Sequence, residues 1–173
     1  YQAGNFFATG SAPGRLGNRH PTIAPYETFA TADGDLALAV GNDALWQKFC
    51  RVAELPDLGA DPRFASNAGR LEHYAELKPR LDAVFRSRTR ADWSARLLAA
   101  GVPCGAVRSV EEVFADPQTL ARGMVQKVGH ATLGEVSVTG VPVKLSETPG
   151  SVRTGPPVLG QHTAAVLTEL GYD

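Results

Sequence analysis

Two short runs of alternating apolar and polar positions, residues 26–31 and 35–40, flank the pair Asp33-Gly34. An Asp-Gly pair between extended runs predicts a β-hairpin, because both turn residues tolerate positive φ. Leu36, Leu38 and Val40 share one face of the second run, while Ala37 and Ala39 share the other. Small apolar residues on that second face predict that it too is covered, by a helix. The period then changes from two to three and four. Asn42 or Asp43 caps a helix carrying Leu45, Trp46, Phe49 and Ala53 on one stripe. Leu71, Tyr74, Leu77, Leu81, Val84 and Phe85 recur at helical spacing, with Pro79 expected to split the run into two helices at Lys78. Thr89-Arg90-Ala91-Asp92 reads as a capping box opening a helix that holds Trp93 and Leu97 and ends at Gly101. Ser109-Val110-Glu111-Glu112 repeats the box, and Asp116-Pro117 sets a proline at the first position of a short helix ending at Gly123. A second β pair, residues 124–130 and 135–139, turns at Thr132-Leu133-Gly134.

The ends of the chain lack this regularity. Gly4, Gly10, Pro13, Gly14, Gly17, Pro21 and Pro25 punctuate residues 1–25, which read as an N-terminal arm with a glycine-containing loop. Prolines 142, 149, 156 and 157 make residues 140–160 an extended strap, followed by a helix at about 161–170 expected to bury Val166, Leu167 and Leu170. The predicted class is α+β: a small mixed sheet with covering helices over residues 26–139, between the arm (1–25) and the strap with its C-terminal helix (140–173).

Composition narrows the function classes. The chain has 173 residues, 43% hydrophobic, with 17 basic residues against 18 acidic. That suits one domain, or one and a small appendage, with a real core. The near-neutral balance argues against nucleic acid as a partner. The longest apolar run, residues 36–40, is far short of the roughly twenty residues that cross a bilayer, so no membrane partner is expected. Two cysteines, Cys50 and Cys104, cannot build a disulfide framework and read as reduced thiols of a cytoplasmic protein. The chain starts at Tyr1, its only methionine is Met124, and no signal segment precedes Tyr1. An excised piece of a longer protein is therefore expected.

Searches for self-contained chemistry find little. There is no phosphate-cradling G-x-x-x-x-G-K, no G-x-G-x-x-G, no H-E-x-x-H, no C-x-x-C and no G-x-S-x-G. The four histidines, at 20, 73, 130 and 162, show no ligand spacing, so no metal site is expected. Cys50 lies on an apolar helical stripe and reads as a core residue, and nothing near Cys104 activates it. Trp46 and Trp93 read as core anchors. Glu112 occupies a capping position rather than half of a carboxylate pair. Arg86, Arg88 and Arg90 could meet an anion, but a solvated helix end explains them more simply. One segment resists such readings. Residues 14–21, GRLGNRHP, place the guanidinium groups of Arg15 and Arg19 on a glycine-hinged loop whose freed amides suit carboxylate or phosphate recognition.

The succession GNRHPTIAPYETFATADG, AVGNDALWQKFC, DPRF, GVPCGAV, DPQTLARGMV and LGQHTAAVLTELGY resembles the C-terminal portion of the family III CoA-transferases, the CaiB/BaiF group. That group includes formyl-CoA and carnitine-CoA transferases and α-methylacyl-CoA racemases. The resemblance implies a parent enzyme that moves CoA between carboxylic acids. A Rossmann-like N-terminal domain would bind most of the CoA, support the extended arms, and supply an aspartate nucleophile. That aspartate would form a mixed anhydride and then a covalent aspartyl-CoA thioester, dividing one transfer into easier steps. The nucleophile lies upstream in the family, so no catalytic residue is carried to this chain. Asp33, Asp43, Asp61 and Asp116 each have a turn or capping explanation. The family's active-site loop corresponds to Gly17, Asn18, Arg19 and His20, with Arg15 as a substrate-binding candidate. The consecutive glycines of formyl-CoA transferase-like members are absent nearby, which weighs against formyl-CoA or oxalate specificity and leaves the substrate open. No tightly bound cofactor is implied, coenzyme A or acyl-CoA being a substrate of the parent. The family pattern also implies a homodimer of two interlocked chains. Two other readings remain: a non-catalytic dimerisation or partner-binding domain, and part of a racemase-type enzyme.

Overall fold

Alternation becomes a hairpin where Asp33-Gly34 permits the turn. In the computed structural model, which describes residues 2–172, the N-terminal arm begins with helix α1 (Gln2–Thr9). No proline interrupts that stretch, and Gly10 at φ 69° ends it, its N–H donating to the Phe6 carbonyl at 2.7 Å. Strands β1 (Tyr26–Ala30) and β2 (Asp35–Ala39) then pair antiparallel, with Phe29 opposite Leu36. β3 (Cys104–Ala106) joins the free edge of β2, also antiparallel, with Leu38 opposite Cys104. The class is α+β, but the sheet is antiparallel throughout where a mixed one was expected. A hairpin followed by a helical excursion brings β3 back in the reverse direction.

The helices between β2 and β3 cover one face of this sheet. Asn42 caps α2 (Asp43–Val52) by accepting the Leu45 N–H at 2.9 Å. α3 (Pro56–Ala60), a 3-10 turn at Pro62–Phe64 and α4 (Asn67–Glu72) follow. α5 (Tyr74–Phe85) and α6 (Arg90–Ala99) complete the layer. Pro79 does not split α5, and the break falls instead at His73, between α4 and α5. The proline sacrifices one bond, to the carbonyl of Ala75, and both residues are exposed. Water can therefore satisfy that carbonyl, while Leu77, Leu81 and Phe85 stay buried along the opposite side.

Leu36, Leu38, Val40 and Phe29 from the sheet meet Trp46, Phe49, Leu77, Leu81, Phe85, Trp93 and Leu97 from the helices. Phe85 is the hub, stacked on Phe29 at 4.6 Å and tilted against Trp93 at 5.0 Å. The buried indole N–H of Trp93 donates to the Phe85 carbonyl at 2.8 Å. On the second face of β2, Ala37 is exposed and Ala39 half-buried, so the helical cover expected there is not found among the described residues.

The chain divides into two compact units, Tyr1–Val107 and Arg108–Asp173, a boundary that falls inside the span 26–139. In the second unit Ser109 and Glu112 form a reciprocal capping box on α7 (Val110–Ala115). Asp116 caps α8 (Pro117–Ala121). β4 (Val125–His130) and β5 (Gly134–Thr139) form the second hairpin, with His130 opposite Gly134. The last helix, α9 (Thr163–Glu169), buries nothing. Val166, Leu167 and Leu170 are exposed, contrary to expectation, because no apolar layer of this unit lies over them.

Candidate functional site

The loop entering β1 is held by short-range geometry at its turn and by side chains at its exit. Gly17, at φ 63°, reverses the chain, and Arg19 N–H donates to the Leu16 carbonyl at 3.2 Å. Asn18 clips the loop to β1, its amide donating to the Thr28 hydroxyl and its oxygen accepting the Thr28 N–H at 3.4 Å. His20 N–H donates to the Tyr26 carbonyl at 2.9 Å, and its ring stacks on Tyr26 at 5.1 Å. Downstream, Asn67 accepts the Ala24 N–H at 3.0 Å and donates to the Thr22 carbonyl at 2.8 Å. Fully buried Arg70 donates to the Ala24 carbonyl at 2.6 Å. The loop therefore rests on α4 at one end and on β1 at the other.

Arg19 projects from this frame onto α5. Its guanidinium sits 4.3 Å from the centre of the Tyr74 ring, a cation over an aromatic face. The Tyr74 hydroxyl donates to the carboxylate of Glu27, which is 7% exposed. Lys78, one turn along α5, lies 3.9 Å from the other Glu27 oxygen and also pairs with Asp82. Burial pushes the Glu27 pKa up, against the Tyr74 hydrogen bond and the positive charges of Lys78 and Arg19. Burial and the Glu27 contact likewise hold the Tyr74 hydroxyl in its protonated form. These groups border a cleft of about 500 Å³ that also takes in Arg15, Gly17 and Asn18. The structure thus brings together four of the five loop residues singled out by sequence. His20 turns instead toward Tyr26, its Nδ1 accepting the Thr22 N–H at 3.2 Å.

Glu27, Tyr74 and Lys78 were not foreseen. One signal was available: Glu27 shares a strand face with Phe29, and a carboxylate on a core-facing position requires a partner. The remaining candidates resolve into structural roles. Arg88 pairs with Glu54 at 3.0 Å, and Arg90 donates to the Val107 carbonyl at 2.8 Å, so neither is reserved for an anion. Asp33 accepts the Arg90 N–H, Asp43 pairs with Arg70, and Asp61 and Asp116 cap helical turns. A second cleft, about 570 Å³, borders Cys50, but burial pushes that thiol up to about 12 and leaves it protonated. No group of three His, Cys, Asp or Glu side chains able to hold a metal ion occurs among the described residues.

The sequence model of CoA-transferase family III matches residues 1–163. The chain belongs to CoA-transferase family III. It is 40% identical over 161 residues to an acyl-CoA transferase of Fusarium pseudograminearum, an alignment covering 92% of this chain and 35% of that protein. It is 38% identical over 168 residues to a succinate–glutarate CoA-transferase of Agrobacterium fabrum, covering 96% of this chain and 42% of the relative. The crystal structure of a CaiB/BaiF family protein from Brucella suis superposes with a TM-score of 0.79 at 38% identity, covering 98% of this chain and 43% of that one. The chain therefore spans about two fifths of the length of the curated relatives it matches. The family III likeness extends over both compact units, since the matched span crosses the boundary at residue 107.

Proposed function

We propose that this chain acts as the C-terminal part of an enzyme that transfers CoA between an acyl-CoA thioester and a carboxylic acid. Family membership over residues 1–163 carries the reading. The nucleophilic aspartate belongs to a preceding segment. This agrees with the local engagement of Asp33, Asp43, Asp61 and Asp116, each turned to a backbone N–H or an arginine. Attack of that aspartate on the thioester carbonyl gives a mixed anhydride and releases CoA thiolate. The thiolate then attacks the aspartyl carbonyl, freeing the first acid and leaving the aspartyl-CoA thioester. The incoming acid repeats both steps in reverse. In this scheme the loop of Gly17, Asn18, Arg19 and His20 supplies donors at the wall of the site, and CoA enters as substrate.

A homodimer of interlocked chains in the cytoplasm completes the proposal. Its support is the apolar surface each unit leaves uncovered: Phe7 is 81% exposed in the first, and Leu159 and Leu170 are wholly or largely exposed in the second. No helix among the described residues is long and apolar enough to cross a membrane.

The test uses the full-length polypeptide that contains this chain. Incubation with an acyl-CoA and a panel of free acids should yield the exchanged acyl-CoA by liquid chromatography. Rapid acid quenching should leave a CoA adduct on a peptide outside residues 1–173. Absence of exchange with every acid would refute the proposal. Solvent deuterium entering the α-carbon without exchange would assign a racemase instead.

A further inference from the structure

β1 is an edge strand of the three-stranded sheet, and the loop before it grips that edge from both faces. Successive residues of a strand point to opposite sides. Thr28, on the partly exposed side, takes Asn18, accepting its amide at the hydroxyl and donating its own N–H to the Asn18 oxygen at 3.4 Å. Glu27, on the core side and 7% exposed, accepts the Tyr74 hydroxyl. Tyr74 in turn holds Arg19. The guanidinium lies 4.3 Å from the ring centre, donates to the hydroxyl oxygen, and is coupled by charge to Glu27. Two adjacent loop residues are thus tied to two adjacent strand residues, one directly and one through α5. Residues 11–15 are exposed and hinged by Gly14 and Gly17, so these ties decide where the loop lies.

A buried carboxylate is a costly choice at this position. Glu27 shares a strand face with Phe29, where an apolar side chain would carry no desolvation penalty. Burial raises its pKa despite the hydrogen bond from Tyr74 and the charges of Lys78 and Arg19. Lys78, 3.9 Å away, is also paired with Asp82. What the carboxylate adds is direction. It takes the proton of the Tyr74 hydroxyl, so that the hydroxyl oxygen and the ring meet Arg19 in one orientation. We infer that Tyr74 and Glu27 are positioning residues for CoA transfer, setting the loop of Gly17, Asn18 and Arg19 through the Arg19 guanidinium. The inference rests on the reading that this loop borders the transfer site.

The experiment uses the full-length polypeptide and the fastest acyl-CoA and acid pair of the exchange panel. Tyr74→Phe keeps the ring beneath Arg19 and deletes the hydroxyl. Glu27→Gln keeps the acceptor and deletes the charge. Tyr74→Phe should lower kcat/KM by about tenfold, short of the roughly hundredfold that a misplacement of about 1 Å can cause. Glu27→Gln should lower it less, and Glu27→Ala as much as Tyr74→Phe. In an Arg19→Gln background, Tyr74→Phe should change kcat/KM by less than about twofold, since its effect passes through Arg19. A lost fold would act alike in both backgrounds. Equal losses in the two, or no loss in either, would therefore overturn the inference. A second arm needs no turnover. Trypsin engages an arginine by its side chain, so Tyr74 should shield Arg19 and leave exposed Arg15 open. Cleavage after Arg19 relative to cleavage after Arg15, read by mass spectrometry on variants with native circular dichroism, should rise several-fold in Tyr74→Phe and Glu27→Gln. An unchanged ratio overturns the inference even if wild type transfers. If wild type transfers nothing, the CoA-transferase reading fails, and this ratio still decides whether the pair sets the loop. Should Tyr74→Phe not fold, Glu27→Gln, alone and with Arg19→Gln, carries both arms.

Discussion

Arg70 is the buried cation on which the first unit depends, and its replacement by methionine gives a direct test. The side chain is fully buried. It donates to the carbonyls of Ala24 at 2.6 Å and Phe64 at 2.9 Å, and pairs with Asp43 at 2.8 Å. Methionine keeps an unbranched side chain near the Trp46 ring, where the guanidinium now sits 5.3 Å from the centre, but donates nothing. Ala24 and Phe64 are buried to within 1%, so water does not readily replace the lost donors. Each stranded carbonyl costs about 1–3 kcal/mol. The Asp43 side chain is 56% exposed and is rehydrated at little cost. Relief of guanidinium desolvation offsets part of the loss, leaving a net destabilisation of about 2–4 kcal/mol. Both tryptophans of the chain, Trp46 and Trp93, lie in the core of this unit, so emission during urea unfolding of the 173-residue chain reports on it alone. Arg70→Met should lower the midpoint substantially at constant slope, and Arg70→Lys should fall between it and wild type. A methionine variant as stable as wild type would show that the two carbonyls have other donors and that the network is dispensable.

Three further outcomes follow from the same structure. Glu27 has a raised folded pKa, so between its ordinary value of 4.5 and that raised value the folded state holds more protons than the unfolded one. Stability should therefore fall as pH rises through this window. Glu27→Gln, which can still accept from Tyr74, should flatten that part of the profile in urea melts at stepped pH. A Cβ at Gly69 would meet the Arg63 carbonyl oxygen at 2.3 Å, so Gly69→Ala should cost about 1–3 kcal/mol. Gly105→Ala, with nothing within 4 Å, should be neutral or slightly stabilising by the same Trp-emission assay. Thiol titration at pH 8 should leave Cys50 unmodified in the folded chain, with Cys104 slower than a free thiol, and count both after denaturation.

What could be read from sequence was local. The Asp33-Gly34 turn and the caps at Asn42, Ser109 and Asp116 place a side chain against backbone two or three residues away, so residue order alone carries the signal. Pro79 misled because its penalty is local, whereas the burial of Leu77, Leu81 and Phe85 that outweighs it is tertiary. The apolar stripe of α9 shows only that a face is apolar, and nothing in residue order says what lies over it. The candidate cleft was half legible. Arg15, Gly17, Asn18 and Arg19 stand together in the chain, but Tyr74 and Lys78 reach Glu27 only because β1 packs beside α5 across about fifty intervening positions. No periodicity announces such a pairing.

The supports of the cleft also divide recognition from stability. Asn67 and Arg70, both on α4, grip the chain at Thr22 and Ala24, and His20 and Asn18 grip β1 at Tyr26 and Thr28. Arg19 stands between these anchors, its guanidinium fixed on Tyr74 before any ligand arrives, so little side-chain entropy remains to be lost on binding. Arg15 lies before the Gly17 turn on exposed chain, with no such anchor among the described residues. Damage to α4 should therefore reach the cleft through Ala24 and weaken both folding and binding. Loss of Arg15 should change the charge of the cleft and leave the fold intact. Arg19 lies between the two cases: its contact with Tyr74 joins the loop to α5, so its removal should impair transfer strongly and stability only slightly.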